Sequence, residues 1–583
     1  MPPTAAVADA PPLSAGAGAY SRATHPRLVV VASVGCVALL LLLAIVLRND
    51  GHFAYTLDAA YTHLALSEQI AQGHYGINPD EPASPSSSIL YPFLLAALAP
   101  LPLGQFAPLL ICLMATVAAA LLGYGVIREA GIEIERLSDA QLALLTIAVT
   151  LAFNLVGLAF AGLEHSLHVT FTLASLLGLL RFIRRGEADW WWLASIALMP
   201  LLRFEAVAAL AADMFVLIAF GKWRHALVVG LVGASGVAAF MFFLHWLGLP
   251  WLPSSVLSRS EVASTGVGMG SNGLLALPHA VYRTLRSNLV AYGGTLITLM
   301  MLVSAWGLAR DMGQPNPPGR GRGQGQGQGW GRAAAVGFFV VIALAQLLGG
   351  SLGSFSRYEI YVLALGGCAI VVAWQPEVNA ALRKADWPGC LATSFALVFL
   401  FSGYLFRTLD ATAGSGNVYD QQYQLSRFVT GYWQQPYATN HPGRVNWRNP
   451  HYMLDYSGLA SEEARRNLAD PTGAPVDWVE QLARRHEIAL AMLYDVAGPA
   501  APASWSPVAR LRLRGRVITA VGSTITFYAT QPESIPDIMS ALQRFAPSLP
   551  RGAEFDLQWA AQGHLHDAAV RHQAPQPGMS GVL

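Results

Sequence analysis

The chain has 583 residues, 54% of them hydrophobic and only 12% charged, about half the charged share of an ordinary soluble domain. The charge deficit is confined to residues 1–405, which excludes a wholly soluble protein, and a formal net charge of +1 offers no basic surface for a nucleic-acid partner. Cys36, Cys112, Cys368 and Cys390 all lie in apolar stretches and imply no disulfide framework.

Residues 1–27, rich in Ala and Pro, read as a disordered cytoplasmic tail. The stretch 28–47 is long for a signal-peptide core and has no small-residue cleavage site after it, so it is an uncleaved first span. Further apolar stretches at 105–127, 141–160, 166–183, 190–202, 206–221, 225–248, 287–309, 333–350, 358–374 and 389–405 bring the expectation to about eleven transmembrane helices. The segment 88–101 is apolar but short and broken by Pro92 and Pro100. If it dips into the interface without crossing, thirteen Lys and Arg residues between Arg128 and Lys384 fall on the cytoplasmic side. Only Arg48, Arg203, Arg259, Arg283, Arg286 and Arg357 then fall on the other side before residue 406. That asymmetry fixes the orientation. It also separates 190–202 from 206–221, which could otherwise be one long helix broken at Arg203-Phe204-Glu205. The Gly-Gln repeats of 311–332 read as a flexible cytoplasmic linker.

Residues 406–583 have ordinary polarity. Helical spacing at 420–431 and 476–486, with β-branched and apolar runs at 488–494 and 517–528, predicts a small α/β domain whose end frays after about Asp556. The expected organisation is a tail (1–27), an all-α polytopic membrane domain (28–405) and a C-terminal extracytoplasmic α/β domain (406–583).

Several polar groups converge on the extracytoplasmic face. Asp58 follows the first span and either caps the helix expected up to about Gln72 or serves as a base at the membrane surface. Glu164 sits between two spans, where it either caps the next helix or acts in a site. Arg203 and Glu205 at a helix break either neutralise each other or line a cavity. Arg203, Arg259 and Arg357 suit a phosphate by their fork geometry, or else snorkel to the interface.

In this order the motifs resemble the multi-pass glycosyltransferases of the GT-C class, in a bacterial branch that uses polyprenyl-phosphate sugars. Asp58-Ala59-Ala60-Tyr61 is similar to the branch's Asp-Asp-x-Tyr stretch, and Gly73-His74-Tyr75-Gly76 to its Gly-His-Gly-like turn. Gly162-Leu163-Glu164-His165-Ser166-Leu167 is similar to Gly-Met-Glu-x-x-Leu, and Arg203-Phe204-Glu205 to Arg-Pro-Glu. Pro253-Ser254-Ser255 through Arg259 resembles Pro-Asn-Ser through Lys, and Arg357-Tyr358 the late Arg-Tyr pair. The chain departs from the pattern at Ala59, Phe204 and Ser254.

The resemblance implies a GT-C-like fold and transfer of a sugar from a polyprenyl-phosphate carrier to an extracytoplasmic glycan, lipid or protein hydroxyl, with inversion. Asp58 and Glu164 are then the catalytic carboxylates, as base and positioning group. Tyr61, His63, Arg203, Glu205, Arg259, Arg357 and Tyr358 bind substrate. No cofactor is expected, since arginines neutralise the leaving phosphate; a divalent ion between Asp58 and Glu164 is the minor alternative. A flippase of a lipid-linked glycan and a non-catalytic glycan-lipid binder are the competing functions.

Overall fold

The computed structural model describes residues 25–257, 273–312, 322–384, 386–469, 477–494, 496 and 498–557. The expected tail, Arg259 and the stretch after 557 lie outside these residues.

Six described helices are long and apolar enough to cross a bilayer: Pro26–Arg48, Gly104–Glu129, His165–Arg185, Trp223–Trp246, Tyr292–Arg310 and Gly329–Gly349. Two bent pairs raise the number to eight if each is one span, Ile360–Ala373 with Gln375–Lys384 at 79° and Trp387–Leu400 with Ser402–Trp433 at 74°. The protein is a multi-pass membrane protein, but the count of about eleven full-length spans is corrected. Three of the expected stretches fold as short helices: Asp139–Ala152 with Leu155–Phe160, then Trp190–Leu202, then Val207–Ala219. The first pair is divided at Asn154, whose φ is 50°. A helix of 13 residues such as Trp190–Leu202 rises only about 20 Å, short of a hydrocarbon core of roughly 30 Å. The segment 88–101 folds as the nine-residue helix Leu90–Leu98, too short to cross. Helix Arg322–Gly349 takes in residues 322–332 of the expected linker, extending the apolar helix that follows by local hydrogen bonding; residues 313–321 lie outside the described residues.

Burial sorts the helices. His165–Arg185 is central, packed by Gly104–Glu129, Trp190–Leu202, Arg322–Gly349 and Ile360–Ala373. Close approach is built in at Gly178, where a Cβ would lie 2.2 Å from the buried Trp192 ring. Leu39, Leu43 and Leu47 on the first helix, and Phe215, Leu231 and Phe395 on others, point outward, as side chains facing lipid do. At one end of the bundle Arg181 and Arg184 pair with Glu129, Arg128 with Glu135, and Arg383 with Glu133. These are basic residues that the charge asymmetry put on the cytoplasmic side.

At the other end the helix Ser402–Asp420 carries the chain out of the membrane domain, so the boundary expected at 405/406 falls inside a helix. The domain beyond it is the expected α/β unit. Its strands are β1 (Tyr437–Thr439), β2 (Met453–Asp455), β3 (Leu490–Tyr494), β4 (Ser506–Leu513), β5 (Thr524–Ala529) and β6 (Ala553–Asp556). They form one sheet in the order β2-β1-β3-β5-β4-β6, parallel from β2 to β3 and antiparallel thereafter. Phe428, Phe527 and Phe545 pack one face.

The first loop, 48–104, is clamped to this domain. Asn78 donates to Met453 O (2.9 Å) and accepts from Met453 N (3.1 Å), completing the hydrogen bonding along the outer edge of β2 as a neighbouring strand would. Arg48 reaches Asp420 at 2.8 Å, and Glu81 accepts from Ser461 (2.7 Å) and Tyr452 (2.9 Å).

Candidate active site

Two acid-centred clusters adjoin the helix Ala59–Ala71, Asp58 at its N-terminal cap, where the C-terminal domain meets it, and Glu164 beside His63 in its second turn.

Gly162 turns the chain with φ 69°, leaving no room for a side chain against the Tyr55 ring, and delivers Glu164 to the start of the central helix. Glu164 makes no capping hydrogen bond. Its carboxylate turns instead to Arg203 Nη1 at 2.8 Å, with Ser87 Oγ at 3.4 Å, His63 Nε2 at 3.6 Å and His165 Nδ1 at 3.8 Å. Burial by itself would push its pKa up, but His165, Arg203 and His63 together hold it below the usual carboxylate range.

Arg203 lies where Trp190–Leu202 ends, its backbone extended (φ −149°, ψ 134°) after Pro200 has removed a donor from the last turn. Its Nε and Nη2 grip both oxygens of Glu205, and its Nη1 reaches Ser87 Oγ (2.8 Å) as well as Glu164. Of the two readings of Arg203-Phe204-Glu205, pairing is therefore observed, yet the pair also lines a cavity. The cavity has a volume of about 320 Å³. Ser87, Arg203, Glu205, Ser255, Gln346 and Tyr358 supply its polar side; Val207, Ala208, Val256 and Ala345 supply an apolar wall.

Arg357 and Tyr358 enter from an unusual turn. Gly353, Ser354, Phe355 and Ser356 all have positive φ, of 93°, 47°, 63° and 54°. Left-handed backbone costs a non-glycine residue roughly 1–2 kcal/mol, and strain of this kind concentrates where a site needs it. The turn closes through Gly353 N donating to Glu359 (3.2 Å). It sets the buried Arg357 guanidinium 4.8 Å above the Tyr358 ring and 2.8 Å from its hydroxyl, while the Tyr358 ring lies tilted against His165 at 5.3 Å and 5.3 Å from the Arg203 guanidinium. Glu164, His63, Arg203, Glu205, Arg357 and Tyr358 thus form one cluster.

Asp58 belongs to the second. It occupies the N-cap position of Ala59–Ala71 without a capping hydrogen bond. Oδ1 accepts from Arg444 N at 2.8 Å, and Oδ2 faces His441 Nδ1 at 3.2 Å, both from the loop after β1. Tyr61 lies beside it, fully buried, with the Arg444 guanidinium 5.0 Å from its ring. Burial raises the Tyr61 hydroxyl to about 12, so it stays a neutral phenol at physiological pH. Tyr61 and His63 are two residues apart on one helix and face different ways, which is why Tyr61 joins Asp58 while His63 joins Glu164. Among the described residues, no three His, Cys, Asp or Glu side chains are placed to hold a metal ion.

His441 and Arg444 escaped sequence reasoning. His441-Pro442-Gly443-Arg444 has no ligand or nucleophile spacing, and only the docking of the C-terminal domain brings it to Asp58.

Fold and site together define a multi-pass membrane protein with a buried acid–guanidinium cluster in its membrane domain and a second buried acid, Asp58, at the junction with its C-terminal domain. The family model described as "Domain of unknown function (DUF8728)" matches residues 416–528 of that domain and its connecting helix. No curated protein matches the chain. Among solved structures, the chain is similar to ArnT from Cupriavidus metallidurans bound to undecaprenyl phosphate, with 12% identity, a TM-score of 0.46, and coverage of 86% of this chain and 98% of that one. It is also similar to the archaeal oligosaccharyltransferase AglB from Archaeoglobus fulgidus in complex with an inhibitory peptide and a dolichol-phosphate. There the identity is 12%, the TM-score 0.44, and the coverage 88% of this chain and 75% of that one.

Proposed function

We propose that this protein is a glycosyltransferase that moves a sugar from a polyprenyl-phosphate donor to an extracytoplasmic hydroxyl acceptor, with inversion at the anomeric carbon. The observation that carries the reading is the cavity with an apolar wall and an acid–guanidinium end. An amphiphile with a long apolar chain and an anionic, hydroxyl-rich head matches that division.

In this mechanism the lipid enters along the apolar wall. Arg357 meets the phosphate, whose negative charge grows as the anomeric C–O bond breaks; Arg259 is assigned to the same task. Arg203 is already committed to Glu164 and Glu205, so its role shifts from phosphate holder to the strut that fixes both carboxylates. Glu205, Tyr358, His63 and Ser87 then offer hydrogen bonds to sugar hydroxyls. Asp58, at the N-terminal end of Ala59–Ala71, is assigned the acceptor proton as the acceptor oxygen attacks, with the acceptor entering past that end of the helix to reach the donor.

The test is transfer by purified protein from a panel of polyprenyl-phosphate sugars, with wild type beside Asp58→Asn and Arg357→Ala. Transfer is expected, falling by about 10²–10⁴-fold in Asp58→Asn. Near wild-type transfer by well-folded Asp58→Asn removes the base assignment. Movement of lipid-linked glycan across vesicles without bond cleavage establishes a flippase instead, and retention of the lipid with neither result leaves a binder.

A further inference from the structure

The C-terminal domain does more than cover the membrane domain: it reaches the proposed base. Both Asp58 oxygens are met by the loop 441–444, Oδ1 by Arg444 N at 2.8 Å and Oδ2 by His441 Nδ1 at 3.2 Å. The approach is so close that a Cβ on Gly443 would fall 1.8 Å from Oδ2. Thr62 Oγ1 donates to Pro442 O at 3.2 Å, tying the same loop to the same helix. Oδ2 and His441 Nδ1 are both buried and make no hydrogen bond among the described residues, so at 3.2 Å each is the other's nearest answering group, and a small turn of the imidazole would align them. Exposure separates the two groups: the Asp58 side chain is 6% exposed and the His441 side chain 19%. Of the pair, His441 is the side chain nearer to solvent and is placed to pass a proton outward.

We infer that His441 is a positioning residue for Asp58 and the next carrier of the proton that Asp58 takes from the acceptor. The inference rests on the sugar-transfer reading above. As the acceptor O–H bond breaks, its oxygen bonds the anomeric carbon, and the anomeric C–O electron pair leaves on the phosphate. The proton passes to Asp58 and then to Nδ1 of His441. The ring gives its Nε2 proton to water, and a rotation of the ring that brings Nδ1–H to water lets the starting tautomer return. The other groups facing this pair are Arg444 from the same loop, Tyr61 from Ala59–Ala71 and Tyr494 from β3, whose ring stands edge-on to His441 at 5.7 Å. Burial raises the Tyr494 hydroxyl well above its ordinary value, so it does not compete for the proton.

The experiment measures transfer against pH for wild type, Asp58→Asn, His441→Gln and His441→Ala in the full chain, with thermal unfolding of each. The expected result is a fall of about 10- to 100-fold in kcat for both His441 variants, within the range of proton-transfer effects. KM should change little, and the acid limb of the pH profile should become shallower by one proton. His441→Gln keeps a hydrogen-bonding side chain and supplies the result if His441→Ala fails to fold. Unaltered kcat and acid limb in His441→Gln, with Asp58→Asn inactive, overturn the His441 role and leave the sugar-transfer reading standing. An active Asp58→Asn overturns the base assignment itself, and the inference with it.

Discussion

The two acidic clusters are built on opposite plans. Around Glu164 every charge is answered inside the membrane domain: one guanidinium, that of Arg203, binds two carboxylates and a serine hydroxyl. Around Asp58 the answering groups come from the C-terminal domain, as a backbone N–H and an imidazole. A buried charge that must stay put needs a fixed counter-charge, and Arg203 supplies one to Glu164 Oε1. A group that must take up and release a proton needs a partner whose own charge can change, and of the imidazoles beside the two acids His441 is the most exposed, at 19% against 8% for His63 and 5% for His165.

Removing Arg203 should break the first plan most severely. Arg203→Ala leaves Glu164 and Glu205 buried with their main counter-charge gone, and a loss of about 3–5 kcal/mol is expected, read as lower thermal stability in detergent and poor yield. Arg203→Lys should recover only part of it, because an ammonium cannot grip Glu205 with two parallel hydrogen bonds. The same loss in Asp58→Asn would erase the contrast, since that change is expected to cost catalysis and little stability.

Next in size is the packing that supports the Glu164 cluster. Gly178→Ala forces the Trp192 ring away from the central helix and should cost about 1–3 kcal/mol. Unchanged melting would show that the helix seating Glu164 is loosely held.

The strained turn before Arg357 sharpens the comparison from the other side. Ser354→Gly should raise stability by up to about 1 kcal/mol, since glycine adopts a φ of 47° without penalty. Transfer should fall if the strain holds Arg357 in place; equal or higher activity would separate the turn from catalysis. The smallest effect belongs to Glu463→Ala, which removes an exposed pair with Arg485 at 2.6 Å. Less than about 1 kcal/mol is expected, which makes it the control for the others.

Apolar length and charge asymmetry alone located the membrane helices, kept 88–101 from crossing, and marked Asp58, Glu164, Arg203, Glu205 and Arg357 as polar groups on one face. Those properties are local and additive along the chain, so a sequence exposes them directly. The sequence overcounted full-length spans because hydropathy does not show where a helix stops: Asn154 breaks an apolar stretch that looks continuous, and the two stretches on either side of Arg203 give helices of only 13 residues each. Tertiary structure alone decided that Arg203 serves two carboxylates, that Tyr61 and His63 part company across one helix, and that a histidine nearly four hundred residues away meets Asp58. Contacts of that kind depend on how distant surfaces dock, and no spacing within either segment records it.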